Sequence, residues 1–253
     1  MNANDYIAVF DSGVGGISVL RHLLALMPEE RFLYFGDSAN APYGTKTKEQ
    51  VRALTFAAAE MLIKQGIKAL VVACNTATSA AIEDLRKAYP KLIIIGIEPA
   101  LKLAADQFPG GKIGVMATPM TLREEKFARL MERFDESCDI YKIPAPGLVE
   151  LIESGRADSP EAEALLKDLF APYPELDALV LGCTHYPFAA KSISRVLGEK
   201  VTLLDGGDGT ARMTKRRLEE AGLLGGTDGE IRFTNSAGKP ELIQRSIELF
   251  SDE

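Results

Sequence analysis

Two stretches decide how this chain folds: ALVVACNTATSAA at residues 69–81 and ALVLGCTHYPFAA at residues 178–190. Each is an apolar run that leads into a cysteine, followed by small polar residues and a helix-like segment with Ala-Ala at the same place. The two cysteines, Cys74 and Cys183, lie 109 positions apart. An unbroken apolar run of this length is typical of a parallel strand buried on both faces. The pattern therefore predicts two buried strands, each leading directly into a cysteine.

A second pair of stretches recurs at nearly the same interval: IAVFDSGVGG at 7–16 and IGVMATPMTL at 113–122. Two strand-like openings and two strand-cysteine units, in the same order, indicate that one α/β half is present twice. Alternating strands and helices favour a mostly parallel sheet with helices on both faces. We therefore expect an α/β fold of two pseudo-symmetric lobes in which Cys74 and Cys183 are equivalent.

Local signals predict several helix boundaries. Thr47 is expected to cap a helix from about 48 to 65, and Asn75 or Thr76 to cap the helix after the first cysteine. A single helix is expected from about 120 to 133. The segment after residue 205 has no counterpart in the repeat, so we expect it to pack back on one lobe.

Composition and charge exclude several classes of function. The chain has 253 residues, 46% of them hydrophobic, which suits two lobes of about 100 residues. A net charge of −7 without a Lys/Arg cluster argues against nucleic-acid binding. No apolar run reaches the roughly 18 residues of a membrane span. The N-terminus MNANDYIAVF lacks a basic region and leads straight into a strand, so a cytoplasmic location is expected.

The cysteine pattern argues against disulfides and metals. Three cysteines, at positions 74, 138 and 183, are far apart and form no CxxC. With only His22 and His185 besides, a metal site is not expected. Cys138 lies in the polar stretch DESCDI and is interpreted as a small core residue.

Ligands of open parallel sheets gather at the carboxyl ends of strands, where loops lead into helices. If the two lobes face each other, two thiols would flank one cleft. That arrangement suits a reaction that removes a proton from one face of a carbon and delivers one to the other. A helix start also favours the thiolate form, although a buried core thiol is the alternative for each cysteine. The polar residues expected at such strand ends are Asp11, Ser12, Cys74, Asn75, Thr76, Thr118, Cys183, Thr184 and His185.

Three candidate site residues, Asp11, His185 and Glu150, each have two interpretations. Asp11 either caps the following helix or polarises a nearby thiol. His185 either holds a proton for Cys183 or is simply hydrogen-bonded. Glu150 is either an outward helix charge or a site residue beside the Pro-Gly start of its helix. DSGVGG lacks both GxGxxG and the P-loop lysine, so a phosphate-binding turn is only weakly indicated.

Five motifs along the chain are distinctive: DSGVGG at 11–16, PYG at 42–44, ACNTAT at 73–78, PGLVE at 146–150 and GCTHYP at 182–187. Through them the chain resembles, along nearly its whole length, the glutamate racemases of the cofactor-independent aspartate/glutamate racemase superfamily. The two cysteine motifs, in this order and spacing, are the most specific part of the resemblance.

The resemblance implies that Cys74 acts on D-glutamate and Cys183 on L-glutamate, assisted by Asp11, Glu150 and His185. It implies no cofactor and no metal, a homodimer, and a role in making D-glutamate for bacterial peptidoglycan. It also implies a first lobe of 1–97 with 206–253, a second lobe of 98–205, and an active site in the cleft between them. The implied substrate-binding residues are Asp11, Ser12, Pro42, Tyr43, Gly44, Asn75, Thr76, Thr118, Thr121, Thr184 and His185.

Competing interpretations explain less of the sequence. A bilobed ligand-binding or regulatory protein shares the fold class but leaves the paired cysteines unexplained. A thiol redox enzyme is disfavoured because neither cysteine has a resolving partner nearby in sequence. An aspartate racemase is the nearest rival, although the CNTAT and CTHYP forms resemble those of glutamate enzymes.

Overall fold

The computed structural model describes residues 1–97, 100–123, 125–132, 134, 137–225 and 229–251. The chain divides into two compact units. Unit one comprises Met1–Glu98 with Gly207–Glu253, and unit two comprises Pro99–Gly206.

The described residues form nine strands and eleven α-helices, numbered here in chain order. The strands are β1 (Tyr6–Asp11), β2 (Phe32–Gly36), β3 (Ile67–Val72), β4 (Ile93–Gly96), β5 (Lys112–Ala117), β6 (Asp139–Pro144), β7 (Ala178–Leu181), β8 (Thr202–Asp205) and β9 (Ile231–Asn235). The helices are α1 (Ile17–Leu26), α2 (Lys48–Lys64), α3 (Asn75–Ala88), α4 (Leu101–Gln107), α5 (Pro119–Arg123), α6 (Glu125–Glu132), α7 (Leu148–Glu153), α8 (Pro160–Phe170), α9 (Ala190–Leu197), α10 (Gly207–Glu220) and α11 (Pro240–Ser251).

Unit one is built on a parallel sheet with strand order β4-β3-β1-β2-β9. Every residue of β3 is buried, as the apolar run before Cys74 predicted. Helix α1 packs with α10 and α11, whereas α2 packs with α3. The segment after residue 205 therefore belongs to unit one from Gly207 onward, with β9 extending the sheet beside β2.

Unit two repeats the same plan. Its parallel sheet has the order β6-β5-β7-β8. This is the order of the first four strands of unit one, with β5 corresponding to β1, β6 to β2, β7 to β3 and β8 to β4. Two clusters of buried side chains pack on this sheet, one containing Met116 and Leu148 and the other Val115 and Leu101. The predicted α/β class, with two mostly parallel sheets flanked by helices, is confirmed. Cys74 and Cys183 follow the corresponding strands β3 and β7.

Several local predictions are confirmed. Thr47 Oγ1 accepts a hydrogen bond of 3.3 Å from the backbone N–H of Gln50, whose side chain in turn accepts one of 3.0 Å from the N–H of Thr47. This reciprocal pair caps α2 and satisfies two backbone donors of its first turn. Cys138 is buried in the core of unit two, where its thiol donates to the carbonyl of Phe108 at 3.3 Å.

Other local features differ from expectation. The helix expected from 120 to 133 is described as α5 and α6; residues 124 and 133 lie outside the described residues. Helix α8 was not anticipated, although its start carries clear signals. Ser159 accepts a hydrogen bond of 3.2 Å from the N–H of Ala162, and Pro160 occupies the first turn.

Candidate active site

Cys74 lies between β3 and α3 and is buried. Its Sγ accepts a hydrogen bond from the N–H of Ala77 at 3.4 Å and donates one to Ser12 Oγ at 3.6 Å. The sulfur thus occupies the N-cap position of α3. The prediction that Asn75 or Thr76 caps this helix was wrong, because the helix already begins at Asn75 and the preceding side chain reaches its free N–H groups.

Asp11 ends β1 and is fully buried. Its Oδ1 accepts a hydrogen bond of 3.0 Å from the N–H of Gly13. Helix α1 begins only at Ile17, with Gly16 at its N-cap and no side-chain hydrogen bond there, so the alternative that Asp11 caps this helix is wrong. A Cβ on Gly16 would come within 2.6 Å of Asp11 Cβ and 3.2 Å of Ala73 Cβ. Glycine at that position lets Asp11 lie close to the residue before Cys74.

Tyr43 lies in the short 3-10 turn Tyr43–Thr45 of the PYG motif and is buried. Its hydroxyl donates a 2.6 Å hydrogen bond to Oδ2 of Asp37, a buried carboxylate that also accepts from the side-chain amide of Asn40. Burial raises the pKa of Tyr43 far above its usual range, and the charges of Asp37, Cys74 and Asp11 add to the effect. Tyr43 is therefore an electrostatic neighbour of the first cysteine and of Asp11.

Asn75 and Thr76 open α3 and are largely buried. The amide nitrogen Nδ2 of Asn75 is buried and has no hydrogen-bond partner among the described residues. Buried donors are nearly always paired, so such a group is suited to a ligand oxygen. The free N–H groups and the dipole of a helix start also favour an anion.

Cys183 follows β7 in unit two and is buried. Its Sγ lies 3.7 Å from Nδ1 of His185, whose Nε2 lies 2.9 Å from Oε1 of Glu153 on α7. His185 is itself only 3% exposed. Thiol, imidazole and carboxylate thus form a continuous hydrogen-bonded row.

Glu150, the carboxylate assigned from the sequence, lies one turn earlier on α7 and is exposed. The carboxylate that reaches His185 is that of Glu153. Glu150 is instead an electrostatic neighbour of Tyr186, a tyrosine whose pKa is raised mainly by complete burial, then by Cys183 and Glu150. A spacing of three residues places both glutamates on one face of the helix, so periodicity alone does not distinguish them.

Two of the predicted threonines, Thr118 and Thr121, follow the end of β5 in unit two. Thr118 Oγ1 is 3.0 Å from Thr121 Oγ1 and accepts a hydrogen bond of 3.3 Å from the N–H of Thr121. The neighbouring strand ends are close together, since the N–H of Gly182 donates to the carbonyl of Met116 at 2.7 Å. The threonines therefore belong to the same strand-end region as Cys183.

The predicted site residues divide between the two units. Unit one contains Asp11, Ser12, Pro42, Tyr43, Gly44, Cys74, Asn75 and Thr76, and unit two contains Thr118, Thr121, Glu150, Cys183, Thr184 and His185. Within the described parts of the chain, no cluster of three His, Cys, Asp or Glu side chains could hold a metal ion.

Comparison with known proteins decides the family. The family model described as Asp/Glu/Hydantoin racemase matches residues 16–214. This chain belongs to that family. As a racemase it is an isomerase, the class of enzyme that the resemblance implied.

Full-length similarity supports the assignment. The racemase is 51% identical to a glutamate racemase of Clostridium botulinum (strain Okra / Type B1), over 99% of each chain. It is 38% identical to the glutamate racemase of Thermus thermophilus, with a TM-score of 0.84, covering 100% of this chain and 95% of that one. The Francisella tularensis glutamate racemase, whose crystal structure is in complex with D-glutamate, is 30% identical in sequence to this chain. The TM-score is 0.85, and the match covers 98% of this chain and 94% of that one.

Sequence reasoning missed two carboxylates of this racemase. Asp37 follows the buried strand β2 directly, so its place at a strand end was a usable signal. Glu153 gave no such signal, because only the packing of α7 against the turn after Cys183 brings its carboxylate to His185. Beyond the site, the described helices include none long and apolar enough to span a membrane.

Proposed function

We propose that this racemase interconverts L-glutamate and D-glutamate, with Cys74 and Cys183 as its acid and base. The observation that carries the proposal is the placement of the two thiols after corresponding strands of a duplicated fold. Each thiol is buried and each has a polar partner, Ser12 Oγ for Cys74 and His185 Nδ1 for Cys183.

The chemistry needs one thiolate and one thiol at the start of each turnover. With L-glutamate bound, the Cys183 thiolate takes the α-proton and leaves a carbanion, and the Cys74 thiol then donates its proton to the opposite face. The product is D-glutamate, with Cys183 as thiol and Cys74 as thiolate. The reverse reaction begins with Cys74 as base. Because the α-proton is only weakly acidic, the site must stabilise the carbanion and exclude water.

Assisting groups are proposed on both sides. Asp11 is a buried carboxylate next in sequence to Ser12, whose hydroxyl contacts Cys74, and His185 is a buried imidazole beside Cys183. We assign Glu153 the role of orienting His185, since it contacts the other ring nitrogen. Glu150, implied by the resemblance, is kept as a candidate that acts through its electrostatic proximity to Tyr186.

Substrate carboxylates would be held by neutral donors and helix starts, without an arginine clamp. The unpartnered Nδ2 of Asn75 is the donor we propose on the Cys74 side. A glutamate substrate is also consistent with the D-glutamate in the crystal structure of the Francisella tularensis relative. The remaining proposed binding residues are Ser12, Pro42, Tyr43, Gly44, Thr76, Thr118, Thr121 and Thr184.

We further propose, from the resemblance, that the enzyme works without a cofactor as a homodimer and supplies D-glutamate for peptidoglycan. A cytoplasmic location is proposed from the N-terminal sequence, which lacks a basic region.

Circular dichroism tests the proposed reaction directly. The pure chain is dialysed against hydroxylamine and a chelator, kept reduced, and incubated with L-glutamate, D-glutamate or L-aspartate. We expect the signal of either glutamate enantiomer to decay to zero and that of aspartate to stay nearly constant. Equal turnover of aspartate would contradict the substrate assignment. Binding of glutamate without turnover would favour a ligand-binding protein, and activity restored only by pyridoxal phosphate or a divalent metal would refute the two-thiol mechanism.

A further inference from the structure

The turn that follows β1 is held by a tyrosine on the neighbouring strand. Tyr34, in the middle of β2, donates a hydrogen bond of 2.7 Å from its hydroxyl to the carbonyl oxygen of Gly13. Tyr34 is 1% exposed. Gly13 is also buried, so without this donor its carbonyl would lose a partner that water cannot replace.

The same turn carries Ser12, whose hydroxyl contacts the Cys74 thiol. Gly13 donates its N–H to the Asp11 carboxylate at 3.0 Å, while Ser12, the residue between them, lies 3.6 Å from Cys74 Sγ through its hydroxyl. Space around the turn is small, because a Cβ on Gly36 would come within 2.4 Å of the Gly13 carbonyl oxygen. The Tyr34 hydroxyl thus donates to the backbone of the turn that carries Asp11 and Ser12.

Tyr34 is in turn held by the C-terminal segment. Its ring packs against Phe233 of β9 with centroids 6.1 Å apart, and Phe233 packs against Phe250 of α11 at 5.8 Å. Tyr34 and Phe233 are paired in register, and the hydroxyl of Thr234 donates to the Tyr34 carbonyl at 2.9 Å. Aromatic contacts and a sheet pairing therefore connect the end of the chain to the Asp11–Gly13 turn.

We propose that Tyr34 is a positioning residue for proton transfer at Cys74, and that β9 and α11 serve this reaction by holding its ring. Tyr34 acts through the backbone of the turn and is assigned no contact with substrate. This inference rests on the proposed racemase function. It gives the C-terminal segment, which has no counterpart in the repeat, a role on the Cys74 side of the reaction.

The test compares Tyr34→Phe with Tyr173→Phe. The control removes the same kind of bond, since the Tyr173 hydroxyl donates to the Lys142 carbonyl at 2.7 Å in unit two. We expect Tyr34→Phe to lower kcat/KM by about tenfold, less than the roughly hundredfold that a 1 Å displacement can cost. The fall must be equal in both directions because the equilibrium constant is fixed. The control should leave kcat/KM unchanged.

Substrate isotope effects separate positioning from general destabilisation. Slower transfer at Cys74 makes that step more rate-limiting, so the isotope effect on kcat/KM should rise for D-glutamate deuterated at Cα and fall for L-glutamate deuterated at Cα. A loss of activity with both isotope effects unchanged, or no loss at all in a folded variant, would overturn the proposal.

A second variant keeps the test decisive if Tyr34→Phe folds poorly. Phe233→Leu retains the Tyr34 hydroxyl but removes the ring that supports it, and we expect the same opposite shifts of the two isotope effects in smaller degree. Unchanged isotope effects would show that the C-terminal segment has no such role. If the wild-type protein does not racemise glutamate in the same assay, the proposed function is refuted. That result differs from an active wild-type enzyme with unchanged isotope effects in the variants, which would refute only the role of Tyr34.

Discussion

The Glu153 carboxylate lies 2.9 Å from Nε2 of His185. The other ring nitrogen, Nδ1, lies 3.7 Å from Cys183 Sγ. If the carboxylate accepts the Nε2 proton, a neutral imidazole presents an unprotonated Nδ1 to the thiol. Glu153 would thus select the tautomer that accepts a proton from Cys183.

Replacing Glu153 and Glu150 separately by glutamine tests whether Glu153 assists Cys183 through His185. We expect Glu153→Gln to lower kcat/KM by about ten- to a hundredfold, below the full effect of losing an acid/base group. Glu150→Gln is the matched control on the same helix face and should cost less. Both are measured by circular dichroism in both directions. A larger loss for Glu150→Gln would return the assisting role to the residue inferred from the resemblance.

The three cysteines provide an internally controlled test of the two-base mechanism. Cys74→Ala and Cys183→Ala should each abolish racemisation, because loss of either thiol removes the route to one face of Cα. Cys138→Ala should remain active, since that thiol lies in the core of unit two and donates to a backbone carbonyl. We expect Cys138→Ala to lower the free energy of unfolding, measured by urea denaturation.

Heavy water distinguishes two bases from one. Early D-glutamate formed from L-glutamate should carry deuterium at Cα while unreacted L-glutamate keeps its proton, and the reverse direction should behave likewise. Only the first few per cent of reaction is diagnostic, because later exchange obscures the origin of the proton. Return of the original proton to part of the product would indicate a single base.

The Tyr43–Asp37 pair should matter for both stability and binding. Tyr43→Phe removes one donor from a buried carboxylate, so we expect a loss of about 1–3 kcal/mol in the free energy of unfolding. Because Tyr43 and Gly44 are proposed to bind substrate, KM should also rise. Urea denaturation and steady-state kinetics measure the two effects. An unchanged unfolding free energy would mean that Asn40 alone satisfies Asp37.

Ionisation of the Glu230 carboxyl should make part of the free energy of unfolding depend on pH. The Tyr6 hydroxyl, then Arg31 and Arg232, hold the pKa of Glu230 at about 2, below its ordinary 4.5. A pKa lowered by folding means that the stabilisation is present above about pH 4.5 and is lost as the pH falls towards 2. Glu230→Gln should therefore be less stable than wild type at neutral pH, with the difference shrinking in that window. Urea unfolding at a series of pH values checks this, and a constant difference would contradict it.

Local sequence patterns determined much of this protein. The apolar runs before Cys74 and Cys183 predicted strands buried on both faces, because a strand between two helix layers has no polar side. Their repetition predicted two sheets of the same topology, and both cysteines lie at the predicted strand ends. Thr47 was identified as a cap because capping depends on residues three positions apart.

Tertiary structure decided the features that depend on contacts between distant segments. Glu153 and Glu150 have the same periodicity, so only the packing of α7 placed Glu153 against His185. The pairing of Tyr34 with Phe233 joins residues almost two hundred positions apart, and no local pattern encodes which strand edge β9 extends. The Cys74 side chain likewise caps α3 because of where β3 ends and α3 begins. Those two boundaries together determine the direction in which the side chain points. Spacing along the chain specifies which faces are apolar, whereas the partner of a particular polar group depends on how those faces pack.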